Sequence, residues 1–125
     1  MGLLDGLLGN ASKIDPTRVQ DDYSRILAAS ERVEHAYQLI RDIFVFTNLR
    51  LVLVNKQGLS GNKVEYLSIP YSRISRFSIE AAGTFDLNAD LKIWMVDSGD
   101  PVILQFNKKL DIYEVQAVLA AYVLR

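Results

Sequence analysis

The chain has 125 residues, half of them apolar, which is enough to enclose a core within one domain. Fourteen basic against fifteen acidic residues leave a net charge of −1, and no basic run exceeds Lys108-Lys109. That balance speaks against a nucleic-acid partner, whose binding draws on phosphate neutralisation, and the absence of cysteine excludes disulfides and thiolate metal sites.

The opening residues, Met1-Gly2-Leu3-Leu4-Asp5-Gly6-Leu7-Leu8-Gly9, are apolar without forming a targeting signal. They lack a basic leading region and a small-residue cleavage site, and a membrane span needs about 20 apolar residues. Gly6 stands where a myristoylation motif wants Ser or Thr. Leu3, Leu4, Leu7 and Leu8 have the spacing of a short packed helix. Residues 1–14 are therefore set apart from a domain expected over 15–125, and a cytoplasmic location is expected.

Asp15-Pro16 reads as a helix start, with Asp at the N-cap and Pro at the first position. That helix carries Val19, Tyr23, Ile26 and Leu27 on one face and is expected to end near Ala29. A strand follows in which Val33, His35, Tyr37 and Leu39 alternate with Glu34, Ala36, Gln38 and Ile40. Ile43 to Phe46 is apolar on both faces, as in a central strand. Thr47-Asn48 is expected as a two-residue hairpin turn with a left-handed Asn. Leu49, Leu51 and Leu53 then point opposite to Arg50, Val52 and Val54.

A glycine-containing loop over 55–62 leads to a strand from Lys63 to Ser68, closed by Pro70, which has no N–H to give a ladder. Phe77, Ile79 and Ala81 alternate with Arg76, Ser78 and Glu80. A long strand sets Leu87, Ala89, Leu91, Ile93 and Met95 against Asn88, Asp90, Lys92, Trp94 and Val96. After a turn at Asp97-Ser98-Gly99-Asp100, Val102, Leu104 and Phe106 face the core. Asp111 and Glu114 have capping-box spacing before a helix striped by Val115, Val118, Leu119 and Tyr122. About seven antiparallel strands and one carboxy-terminal helix imply a mainly β, α+β fold: a bent sheet or open barrel capped by that helix, with an extra amino-terminal helix.

Four segments carry a resemblance: Arg41-Asp42-Ile43-Phe44-Val45-Phe46-Thr47-Asn48, Lys56-Gln57-Gly58, Tyr66-Leu67-Ser68-Ile69-Pro70-Tyr71-Ser72-Arg73-Ile74 and Ala82-Gly83-Thr84-Phe85-Asp86-Leu87. Their order and turns resemble the bacterial pleckstrin-homology-like domain family from about Pro16 to Val123. The resemblance implies the same capped, bent sheet and brings no catalytic residue set or cofactor. It also implies a cyclic homo-oligomer, a pentamer by analogy, in which sheet edges of neighbours meet. The polar side chains of the matched motifs, Arg41, Asp42, Asn48, Arg50, Arg73 and Glu80, are the candidate surface for a protein partner. Against this stands their plainer role in turns and solvation.

The residues offer little chemistry beyond that. His35, the sole histidine, shares an apolar strand face and lacks the Gly-x-Ser-x-Gly turn a serine hydrolase would need. Asp86 and Asp90 lie on a strand face, which does not converge as calcium ligands do, and Asp97 and Asp100 flank a turn glycine. No metal, phosphate-binding loop or dinucleotide fingerprint is expected, nor an enzyme. Trp94 is the odd residue: strict alternation places it beside Asp90 and Lys92. Either a bulge in its strand turns it inward or a second subunit covers it, which makes it the candidate subunit contact. Lipid-binding eukaryotic relatives of the fold use basic residues near the first strand connection. Here Arg41 stands there alone beside Asp42, so lipid binding led by the amino-terminal leucines is the alternative to a protein-interaction module.

Overall fold

The computed structural model describes residues 13–39, 42–57, 63–83, 88–107 and 109–125. Leu3, Leu4, Leu7, Leu8, Arg41 and Asp86 lie outside the described residues. The chain divides into two compact units, Met1–Pro70 and Tyr71–Arg125. Among the described residues there are seven antiparallel strands in two sheets, a short amino-terminal helix and a carboxy-terminal helix.

The first unit opens with α1 (Pro16–Asp22), capped by Asp15, whose Oδ1 accepts from the Thr17 N–H at 3.0 Å. The helix stops earlier than its apolar stripe suggested. Tyr23 leaves helical dihedrals (φ −114°, ψ 21°), and a 3₁₀ turn over Ser24–Ile26 follows. That tighter turn still brings Tyr23, Ile26 and Leu27 against the same cluster as Val19, so the stripe survives the change of helix type.

Four strands form the first sheet in the order β1 (Val33–Gln38), β2 (Ile43–Thr47), β3 (Arg50–Gln57) and β4 (Lys63–Pro70). A bulge between Val33 and His35 breaks the alternation expected of β1. Val33 and Ala36 therefore join Val45, Val52 and Val54 in the cluster under α1, while Tyr37 is buried on the reverse face. β2 is enclosed on both faces, with Phe44, Val45 and Phe46 all buried. The Phe46 ring meets His35, Tyr37 and Phe44 edge-on, at centroid distances of 6.2, 6.1 and 4.9 Å.

The β2–β3 turn sits one residue later than expected, at Asn48-Leu49. Asn48 is not left-handed, because a side chain organises this turn instead. Thr47 Oγ1 accepts from the Leu49 and Arg50 N–H groups at 3.0 and 2.9 Å.

In the second unit a 3₁₀ turn (Tyr71–Arg73) leads to a sheet ordered β5 (Ile74–Glu80), β6 (Asn88–Met95) and β7 (Val102–Asn107). Ala89, Leu91 and Ile93 of β6 and Leu104 and Phe106 of β7 are buried, as their alternation predicts; Ala81 lies past the end of β5 and is exposed. The β6–β7 turn places Asp97 at φ 67°, the one described non-glycine residue in the left-handed region. The helix α2 (Ile112–Val123) packs on β5 and β6 through a stripe that buries Ile112, Val115, Leu119 and Tyr122. Asp111 caps it by accepting from the Tyr113 and Glu114 N–H groups at 3.0 and 3.4 Å. Tyr122 in turn stacks on Tyr71 with ring centroids 4.7 Å apart.

Candidate interaction surface

The polar residues singled out in the sequence fall into separate settings. Arg50 and Asn48 belong to a lock at the β2–β3 turn of the first unit. Its centre is Glu31, 2 % exposed, a residue that no periodicity marked. Glu31 Oε1 accepts from the Ala28 N–H at 3.0 Å and Arg50 Nη2 at 2.9 Å. Oε2 accepts from Thr47 Oγ1 at 2.6 Å and Arg50 Nε at 2.8 Å. Arg50 also donates to the Ile26 carbonyl and to Ser68 Oγ, both at 2.6 Å.

Asn48 closes the same region. Its N–H donates to the Arg32 carbonyl at 3.0 Å and its Oδ1 accepts from the Arg32 N–H at 2.7 Å, so one residue supplies both halves of a ladder step.

Burial by itself would push the Glu31 carboxyl up. The donors from Arg50, Thr47 and Ala28 outweigh it and hold the group down at about 2. Reciprocally, the bond to Glu31 raises the Arg50 guanidinium against the opposite pull of burial. Burial, helped by the nearby Tyr66 and Asp22, also raises the Tyr23 hydroxyl, whose ring meets Tyr66 edge-on at 6.0 Å.

Asp42, half-buried, serves the β1–β2 turn. Its carbonyl accepts from the Leu39 N–H at 2.7 Å and from Gln38 Nε2 at 3.0 Å. Arg73 and Glu80 lie in the second unit with separate partners: Arg73 Nη2 is 3.5 Å from the exposed Asp97, and the half-buried Lys92 donates from Nζ to Glu80 at 3.1 Å. Pairs of this kind contribute little stability.

Trp94 stays on the polar face of β6, half-buried. The bulge in this sheet falls in β5, between Ile74 and Arg76, and not in Trp94's own strand. It puts Arg76 opposite Trp94, with the guanidinium 4.6 Å from the ring centroid. A cation–π contact thus covers part of the ring in place of burial. The pairing of Arg76 with Trp94 could not be seen without knowing where β5 bulges.

Exposed apolar surface concentrates on β4, an edge of the first sheet. Val64, Tyr66 and Leu67 are 38, 42 and 36 % exposed and sit on both faces of the strand; of its eight residues only Ile69 is buried. Ile103 on β7, an edge of the second sheet, is 55 % exposed. The second unit also has a cleft of about 250 Å³ lined by Ala81, Ala82, Ala89, Leu110, Ile112 and Tyr113, with the capping carboxyl of Asp111 at its rim. Its lining mixes polar and apolar surface and offers no nucleophile–base pair. Among the described residues no three His, Cys, Asp or Glu gather as metal ligands, and no helix is long and apolar enough to cross a membrane.

Comparison with known proteins adds a family. The model of the bacterial PH domain matches residues 2–123. The chain is similar to the uncharacterized protein YjqA of Bacillus subtilis (strain 168), 52 % identical over 122 residues, covering 97 % of this chain and 98 % of that one. It is also similar to the uncharacterized protein YozO of the same organism, 35 % identical over 97 residues, covering 78 and 82 %. Among solved structures, a pleckstrin-homology domain from Shewanella amazonensis SB2B has a TM-score of 0.79 at 40 % identity, covering 89 % of this chain and all of that one. A DUF1696 family protein with a pleckstrin-homology domain from Shewanella loihica PV-4 has a TM-score of 0.79 at 38 % identity, covering 90 and 96 %. The fold is accordingly pleckstrin-homology-like.

Proposed function

Because the chain belongs to the bacterial PH domain family, we propose that it is a non-enzymatic interaction domain of the cytoplasm that assembles into a cyclic homo-oligomer and presents polar residues to a protein partner. The observation that carries this reading is β4: an eight-residue edge strand with apolar side chains exposed on both faces. The strand is long and regular, and beside the charges of Lys63 and Glu65 and the terminal Pro70 its exposed Val64, Tyr66 and Leu67 offer apolar surface to another chain. Pairing it with a further subunit would satisfy its outward backbone groups and cover Val64, Tyr66 and Leu67 together. Arg41, Arg73 and Glu80 are the residues of the matched motifs proposed to face the partner; Asn48 and Arg50 would hold the scaffold.

Light scattering across a range of protein concentrations tests the assembly. A single mass at several times 14.1 kDa that persists on dilution is the expected result. A monomer at all concentrations would overturn it. Charge reversal at Arg41 and Arg73 together then tests the surface: assembly should persist while partner capture is lost, and unchanged capture would remove these residues from the surface.

A further inference from the structure

The first sheet has two ends, and they are built differently. At one, the β2–β3 turn is closed by Glu31, Thr47 and Arg50. At the other, β3 finishes at Gln57 and β4 begins at Lys63, with Gln57 opposite Lys63 and Lys56 opposite Val64. The chain also enters at this second end. Lys13 bridges Tyr37, and the Ile14 N–H donates to the Ala36 carbonyl at 3.0 Å. That bridge is antiparallel, so the chain comes to Lys13 from the side of Leu39, just past the end of β1.

Leu3, Leu4, Leu7 and Leu8 stand within about ten residues of Lys13 in the sequence, a stretch that reaches no further than about 35 Å. These leucines are thereby tethered to a sheet end that presents the exposed cations Lys13, Lys56 and Lys63. Resting on the cyclic assembly proposed above, we infer that this end and its leucines form a docking surface for an anionic membrane, repeated in every subunit of the ring.

The two halves of that surface contribute differently. Leucine side chains gain by leaving water for the boundary between headgroups and acyl chains, which demands no fixed partner. Leucines interspersed with Gly2, Gly6 and Gly9 suit such a fluid apolar phase better than a shaped protein groove. The lysines are drawn to the negative potential of anionic headgroups. Charge is the smaller contribution, because Glu65 and the half-buried Asp42 stand at the same end and Asp5 lies among the leucines. A single short apolar segment holds a protein to a membrane only weakly. Cyclic symmetry changes that. It sets the same sheet end of every copy at one height along the ring axis, so that the leucines of all subunits reach one plane. Once one subunit docks, its neighbours bind at high local concentration, and the ring holds where one chain would let go.

The test uses the full chain and phosphatidylcholine vesicles prepared with and without phosphatidylglycerol. Flotation should carry the oligomer with the anionic vesicles and several-fold less with the neutral ones. Leu4→Ser combined with Leu7→Ser should weaken binding about tenfold or more while light scattering shows an unchanged mass. Lys56→Gln combined with Lys63→Gln should keep the leucine-driven binding and lose the preference for anionic vesicles. An oligomer that floats with neither vesicle would overturn the inference and leave the ring standing. Leucine variants that bind like the wild type would do the same, and a fall in their unfolding midpoint would place the leucines within the packed protein. A wild-type chain without preference for the anionic vesicles would remove the lysines from the surface. Vesicle binding by a chain of monomeric mass would overturn the ring and keep the docking surface.

Discussion

Glu31 and Arg50, nineteen residues apart, meet through two hydrogen bonds of 2.8 and 2.9 Å that join the end of the amino-terminal helical segment to the β2–β3 turn. The carboxylate is almost wholly enclosed and the guanidinium about one-quarter exposed. Removing one partner of such a pair leaves the other charge without compensation, which is worse than removing both.

Glu31→Gln should therefore destabilise the protein by about 3 kcal/mol, whereas Glu31→Gln combined with Arg50→Met should recover part of that loss. Urea unfolding of the two single variants and the double variant measures the coupling. Additive losses would mean that the pair contributes nothing as a pair.

Acid should reveal the same group. The Glu31 carboxyl is held at about 2, below its ordinary 4.5, so the folded state binds fewer protons than the unfolded state between those values. The stabilisation is complete above about pH 5 and is lost as pH falls toward 2; it amounts to roughly 3 kcal/mol at full extent. Urea midpoints measured from pH 6 to pH 2 should fall steeply in the wild type and less in Glu31→Gln. Parallel curves would show that other carboxylates carry the acid sensitivity.

Trp94 is the only tryptophan, so its fluorescence reports one place. Arg76→Ala removes the cation over its ring. The emission should shift to the red and iodide quenching should rise, with a stability change of about 1 kcal/mol or less. If the spectrum stays put while the protein is oligomeric, a neighbouring subunit covers the ring.

Phe46 sits at the meeting of three aromatic rings with no exposed surface. Phe46→Ala should cost about 3–5 kcal/mol, and Asp111→Ala, which removes the cap of α2, about 1 kcal/mol. Thermal or urea unfolding ranks the two. A larger effect at Asp111 would place the weak point of the chain at the helix start.

The legible parts of the fold were those in which a period repeats. β6, β7 and α2 declared their buried faces through alternation or a helical stripe, β2 declared its central place through an unbroken apolar run, and Asp15 and Asp111 announced helix starts. What the pattern hid depends on single residues that break a period. One extra residue in β1 puts Ala36 under the helix, and another in β5 puts Arg76 over Trp94. Glu31 was invisible for a different reason. Its side-chain partners Thr47 and Arg50 lie at a turn sixteen and nineteen residues further on, and a lone carboxylate before Arg32 carries no local sign that it will be enclosed. The moved turn at Asn48-Leu49 follows from the Thr47 hydroxyl, which replaces the backbone strain that the two-residue turn assumed.

The double-sided burial of β2 has a consequence for the order in which the chain is made. Ile43 to Phe46 leaves the ribosome as an uncharged, strongly β-forming stretch before Val52 and Val54 exist to join the cluster beside it. During that interval it is the kind of segment that captures a copy of itself on a neighbouring nascent chain. Arg41 and Asp42 stand on one side of it in the sequence and Arg50 on the other, as charged gatekeepers. Replacing Arg41 and Asp42 with neutral residues, which leaves the Glu31–Arg50 pair intact, should lower the yield of soluble protein more than it lowers the stability of the molecules that do fold, because the harm falls on a moment that ends once β3 has been synthesised.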